Sequence, residues 1–205
     1  MKISHKQLAD CQKSPRNWVS SFIRQSVDGS GPRFGFNQAL SYAICNLHKT
    51  GDIEGALNEL EGYLEKFVNE KKKELMRERL KEYSYWLAKS DVIPIDSNVT
   101  ISLPSVGEWR LGGLVSRVDM IPTGYKAVLF EPIVPDWKLQ LRMPLIQLAI
   151  AERYGRPAEE IRVGLHDLDG NVAVDFRFGD KSRSAAYTVF VELGETVMKL
   201  LPPKQ

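Results

Sequence analysis

Cysteine is scarce in this chain: Cys11 and Cys45 are the only two among 205 residues. They lie far apart, each inside a helical pattern. The pattern predicts two reduced core thiols rather than a disulfide framework. An iron–sulfur cluster needs four thiolates, so this chain alone does not build one. Charge of one sign is also missing. Lys and Arg number 28, Asp and Glu 26, and the net charge is +2 with a pI near 8.4. That balance does not argue for nucleic acid by itself. No apolar run approaches the roughly 20 residues of a membrane span. The start, Met1–Lys2–Ile3–Ser4–His5–Lys6, lacks the apolar core of a signal peptide, so the expectation is a cytoplasmic protein with no membrane contact. There is no internal repeat, no low-complexity segment, no Gly-rich phosphate loop and no Ser/His/Asp or Cys/His arrangement.

What is present is 43% hydrophobic sequence, enough for one sizeable core or two small ones. The first half reads as helical. Ser4 with Gln7 forms a capping-box pattern, predicting a helix to about Gln25 that Pro15 kinks or breaks. Val27–Asp28–Gly29–Ser30–Gly31–Pro32 reads as a loop. Phe34 to about His48 reads as a buried helix. Residues 53–89 carry Leu57, Leu60, Leu64, Phe67, Leu75, Leu80, Tyr83 and Leu87 at near-helical spacing. Lys71–Lys72–Lys73 interrupts that stripe and points to two helices. Strands are expected at about 98–103, 109–119 and 125–131, the last two joined by a turn centred between Thr123 and Gly124. Asp136 is expected to cap a helix running to Tyr154. Residues 160–166 and 171–178 form a hairpin around Asp169–Gly170, and 182–201 a closing helix. The order indicates one α/β or α+β domain, with residues 1–90 mainly helical and 91–205 containing the sheet.

Cross-strand partners in a hairpin have positions that sum to a constant, so the expected turn places Ser116 opposite Glu131. A two-metal phosphodiesterase needs acidic oxygens from both strands at that place, because magnesium prefers hard oxygen ligands. This pair offers one carboxylate and one hydroxyl.

The layout resembles the PD-(D/E)XK nuclease superfamily, in its RecB-like and CRISPR-associated exonuclease branch. Its first core strand looks like G-x-(I/V)-D-R-(I/V)-D, which Gly113–Leu114–Val115–Ser116–Arg117–Val118–Asp119 matches with Ser116 in place of the metal-binding Asp. Its second ends (D/E)-x-K, and Glu131–Pro132–Ile133 keeps the acid but has Ile133 for the catalytic Lys. The following helix carries Q-x-x-x-Y; Gln140 is kept and Pro144 replaces the Tyr. Ser4 and Ser14–Pro15–Arg16–Asn17–Trp18 resemble the family's opening helix. Gly35–Phe36–Asn37–Gln38–Ala39–Leu40 resembles its metal-binding His segment, with Asn37 for His. The resemblance covers most of residues 1–170. It implies a restriction-endonuclease-like core, a mixed central sheet flanked by helices, whose nuclease site has decayed.

The site candidates follow. Glu131 is the surviving acid and the candidate metal ligand, with Ser116 and Gln140 beside it. Asp119 is the candidate to replace the missing acid, and Lys138 the candidate relocated lysine. Arg110, Arg117, Lys126 and Arg142 are candidates for phosphate contact. Trp18, Trp86, Trp109 and Trp137 are read first as core, and the charged run from Glu65 to Glu82 as a salt-bridged face. His166–Asp167–Leu168–Asp169–Gly170 is read as a turn rather than a calcium loop, since position 178 is Phe. The leading expectation is a protein without a cofactor that binds DNA, RNA or a protein partner. The rivals are an Mg²⁺- or Mn²⁺-dependent nuclease with a rearranged site, and an assembly subunit with no nucleic-acid role.

Overall fold

The computed structural model describes residues 1–28, 34–105 and 107–201. Of the expected loop at 27–32, Gly29, Ser30, Gly31 and Pro32 lie outside the described residues. A mixed six-stranded sheet organises the molecule. Its strands are β1 (Lys2–Ser4), β2 (Ile93–Pro104), β3 (Arg110–Ile121), β4 (Gly124–Phe130), β5 (Ile161–Asp167) and β6 (Val172–Phe176). β3 pairs antiparallel with β2 along its whole length. Its other edge is shared: β1 runs parallel to Arg110–Gly112, and β4 runs antiparallel to Arg117–Ile121. β4 and β5 are parallel, and β6 closes the order as a hairpin with β5.

The helices are α1 (Leu8–Lys13), α2 (Pro15–Asp28), α3 (Phe36–Thr50), α4 (Ile53–Leu64), α5 (Glu70–Lys89), α6 (Arg142–Tyr154) and α7 (Asp180–Leu200). One core joins the sheet to α1, α2, α6 and α7 through residues such as Val118, Leu129, Val163, Ile146 and Phe190. A second core lies among α3, α4 and α5, built on Leu40, Ile44, Leu60, Leu80 and Tyr83. Two apolar clusters follow from apolar stripes at helical spacing in the first half and β-rich runs in the second.

Local chemistry explains where the elements begin. Ser4 and Gln7 do exchange the capping-box bonds, Gln7 N–H to Ser4 Oγ at 3.3 Å and Ser4 N–H to Gln7 Oε1 at 3.4 Å. They cap a turn, not the expected helix, because Lys2–Ser4 is drawn into the sheet and α1 starts at Leu8. Pro15 breaks rather than kinks that helix and takes the first position of α2, where its missing N–H costs nothing. The break in the third helical stretch lies at 65–69, ahead of the lysine run, with Asn69 Oδ1 accepting from Lys72 N–H at 3.0 Å. The helix expected from Asp136 is a short 3-10 turn, Trp137–Leu139, followed by α6 from Arg142. Pro144 decides this. A helix starting at Asp136 would put the proline in its interior, against the carbonyl of Gln140, whereas in α6 it sits in the first turn.

The β3–β4 hairpin also differs from expectation. Ile121 pairs with Gly124, so Pro122–Thr123 is a two-residue turn and Asp119 faces Lys126, not Val128. Extending that ladder places Leu129, not Glu131, opposite Ser116. The slip is two residues, so each side chain keeps its expected face. Gly124 joins the ladder with φ +138, and the Glu160 carbonyl oxygen lies 2.1 Å from where a Cβ would stand.

Candidate functional site

A cleft of about 1000 Å³ lies between the α3–α5 layer and the sheet, at the place where β3 passes from β1 to β4. Glu131, just beyond β4, lines it. Both of its carboxylate oxygens accept from Arg142 at the start of α6, at 3.1 and 2.6 Å. Arg142 Nε donates to Gln140 Oε1 at 2.8 Å, so Gln140 orients the arginine rather than facing a ligand. Lys6 Nζ stands 3.9 Å from the same carboxylate. Ser116 Oγ accepts from the Phe130 N–H at 2.9 Å, and this bond closes the sheet where the ladder ends. Ile133 packs on the sheet core, and Asn37 stands exposed on the cleft's helical wall.

These residues do not fit Mg²⁺ or Mn²⁺. A hard cation needs several free oxygens within a few ångströms. Glu131 is already neutralised by a bidentate guanidinium, and the Ser116 hydroxyl is engaged by the backbone. Among the described residues, no group of three or more His, Cys, Asp and Glu side chains is placed to hold a metal.

Asp119 is no replacement acid. It is buried with Arg117, whose Nη2 donates to Oδ2 at 3.0 Å and whose Nε makes an ion-pair contact with Oδ1 at 2.6 Å. Lys126 Nζ lies 3.5 Å from the same carboxylate. Arg117, expected on a phosphate, is therefore a core residue. Its Nη1 donates to Tyr83 Oη at 2.6 Å, and Tyr83 Oη lies 2.7 Å from His48 Nε2. His166 Nδ1 approaches Nη1 at 3.4 Å, and the Trp86 ring packs edge-on against His166. Burial, helped by the Arg117 charge, lowers both His48 and His166 to about 3, and burial raises Tyr83 to about 12. The network joins α3 and α5 to β3 and β5 and is the polar joint between the two halves.

The other candidates disperse. Lys138 stands over the Phe176 ring at 4.7 Å and is not directed at the cleft. Arg110 is exposed at the start of β3, outside the cleft lining. Trp18, Trp109 and Trp137 are core residues, as expected. The charged run is paired in part within itself, Arg77 to Glu74 and Lys73 to Glu70, and in part outward, Arg77 to Glu61 on α4 and Arg79 to Asp169. Leu168–Asn171 is the β5–β6 turn, with Asp167 Oδ1 accepting from Asp169 N–H at 3.0 Å.

His5 is a further residue of the site, without a motif of its own in the sequence. Its buried ring lies against Gly113, and its Nε2–H donates to the Leu114 carbonyl at 3.0 Å, filling the gap between β1 and β4. Gly113 makes room for it, with φ +137 and a Cβ position only 2.4 Å from His5 Cδ2. A glycine on a strand beside an N-terminal histidine carries no signal until both are placed. Gly113→Ala should cost about 1–3 kcal/mol, from strain and the displaced ring. Urea unfolding measures it, and an unchanged midpoint would remove His5 as the wedge.

At the level of sequence, no protein-family model and no curated protein matches this chain. Among solved structures, it superposes on a candidate exonuclease from Eubacterium rectale with a TM-score of 0.52 at 9% identity, covering 86% of this chain and 71% of that one. A second structure, of SSO0001, gives a TM-score of 0.36 at 8% identity over 91% of this chain and 86% of that one, a likeness that does not bear on the fold. The architecture is thus nuclease-like, a mixed sheet flanked by helices, and at this identity the likeness concerns the fold alone.

Proposed function

We propose that this chain binds without cleaving, on a nuclease-like fold, and that its cleft holds a polypeptide segment of a partner. The observation that carries the first part is the Glu131–Arg142 pair. It puts a fixed organic cation against the one carboxylate that a metal would need, so no ion is available to activate water or steady a phosphoryl transition state.

The charge of the cleft favours polypeptide over nucleic acid. Among the described lining residues, Lys6, Lys72 and Arg79 face Glu131, Asp167 and Asp169, which balances to zero. Arg79 is paired with Asp169. Arg117, Lys126 and Arg142, expected on phosphates, are all committed to carboxylates. Affinity for a phosphate backbone comes from cations that neutralise it, and here few are left. Leu114 and Leu75 instead offer apolar surface to the cleft, 48% and 39% exposed. Apolar anchors in a groove with balanced charge suit a peptide.

The test combines two assays on the whole chain. Linear and single-stranded DNA and RNA incubated with Mg²⁺ or Mn²⁺ should survive at background rate. Titration with the same nucleic acids at low salt should give only weak binding. Metal-dependent cleavage that vanishes in Glu131→Ala would restore the nuclease reading. Tight binding with a steep salt dependence, lost on Lys6→Glu, would replace the polypeptide by a nucleic-acid strand.

A further inference from the structure

The edges of the sheet at β2 and β6 are built differently. β2, at one edge, is interrupted and guarded. Pro94 and Pro104 lie near its two ends, Asn98 adopts φ +52, the register shifts between Pro94 and Asp96, and Arg153 Nη1 donates to the Thr100 carbonyl at 3.0 Å. These are devices that prevent a second strand from adding. β6, at the other edge, has none of them. Its ladder with β5 is regular from Val172 to Phe176, it contains no proline or lysine, and no strand among the described residues meets its outer edge. It is also apolar at the surface, with Val172 53% and Phe176 39% exposed.

We infer that β6 is a self-pairing edge, through which two copies of this chain join antiparallel about Val174. In that register Val174 faces its own counterpart, Val172 faces Phe176 twice, and Ala173 faces Asp175. No like charges oppose each other, and apolar cross-strand pairs are the stabilising unit of a sheet. Asp175 is already paired with Arg162 on β5, so it enters the pairing neutralised. Charge selects the direction. Asp167, the last residue of β5, stands beside Val172 at the start of β6, Asp169 beyond it being paired with Arg79, while Arg177 follows β6 and Lys138 stands over Phe176. Antiparallel pairing brings the acidic end of each copy to the basic end of the other, whereas parallel pairing would bring like to like. The arrangement is isologous and closes at two copies, merging two six-stranded sheets. Because the paired strand is short, the dimer is expected to be weak and concentration-dependent.

This inference is independent of what occupies the cleft. Sedimentation of the full chain over a wide concentration range should show monomers converting to dimers. Val172→Lys, which adds the charge that edge strands use against pairing, should raise the dissociation constant about tenfold or more. Ala173→Lys, also at an exposed position, serves as a second variant in case the first does not fold. Hydrogen exchange should show the amides of residues 172–176 slowing as concentration rises in the native chain and not in either variant. A chain that stays monomeric throughout, or a dimer with the same dissociation constant in a folded lysine variant, overturns the inference.

Discussion

Arg117→Met should destabilise the fold by about 3–5 kcal/mol, the largest single loss expected in this molecule. Removing the guanidinium leaves the Asp119 carboxylate buried with only Lys126, at 3.5 Å, to answer it. It also removes the Nη1 donor that faces His166 Nδ1 and Tyr83 Oη, leaving Tyr83 only His48. Against a typical total of about 5–15 kcal/mol, such a loss brings the chain close to unfolding at ambient temperature. Asp119→Leu alone should cost a comparable amount, because it orphans the arginine. The double substitution should cost clearly less than the sum, since no uncompensated charge then remains between the two strand positions. Urea unfolding of the four proteins closes the cycle. A loss below about 1 kcal/mol for Arg117→Met would mean that water reaches the pair and that it is not the joint described above. Arg117→Glu should not fold, so it cannot serve as a charge-reversal probe of ligand binding.

Acid should loosen the same joint before it affects the rest of the fold. His48 and His166 are held neutral, with their pKa lowered from 6.5 to about 3 by burial and the nearby Arg117 charge. Between those values the unfolded chain binds protons that the folded chain refuses. Stability is therefore complete above pH 6.5 and falls as pH drops toward 3. The slope is at most about 1.4 kcal/mol per pH unit for each histidine, and at most about twice that for the two together. Thermal unfolding from pH 7 down to 4 should show a falling midpoint. His166→Gln, even if less stable at pH 7, should flatten the dependence. A midpoint that rises on acidification would contradict the neutral assignment of both rings.

Glu131 and Arg117 share one arrangement of charge. At Glu131 an arginine and a lysine gather around one carboxylate beside the cleft. At Arg117 an arginine and a lysine gather around another, inside the molecule. In each case one carboxylate holds an arginine and a lysine. Among the described residues, the cleft lining carries as many acids as bases.

The sequence by itself determined the elements and most of their order. β-branched runs around Pro122–Thr123–Gly124 made the central hairpin, and Asp169–Gly170 made the second. Helical spacing gave α3 to α5 and α7, because periodicities of 2 and 3.6 are local properties. That Ser116 and Ile133 carry a hydroxyl and an apolar side chain is a plain fact of the sequence. The tertiary structure alone decided the rest. It drew Lys2–Ser4 into the sheet, since a three-residue strand has no pattern of its own. It fixed the hairpin register two residues from expectation, which turn geometry sets and side-chain alternation cannot detect. It placed His5 on Gly113 and His48 on Tyr83, contacts between segments distant in the chain. Arg117 with Asp119 is a further signal in the sequence. Residues i and i+2 share a face of a strand, so an Arg-x-Asp pair on a central strand is best placed to neutralise itself. Whether such a pair faces water or the core depends on what packs over it, and that is decided only when α3 and α5 cover the sheet.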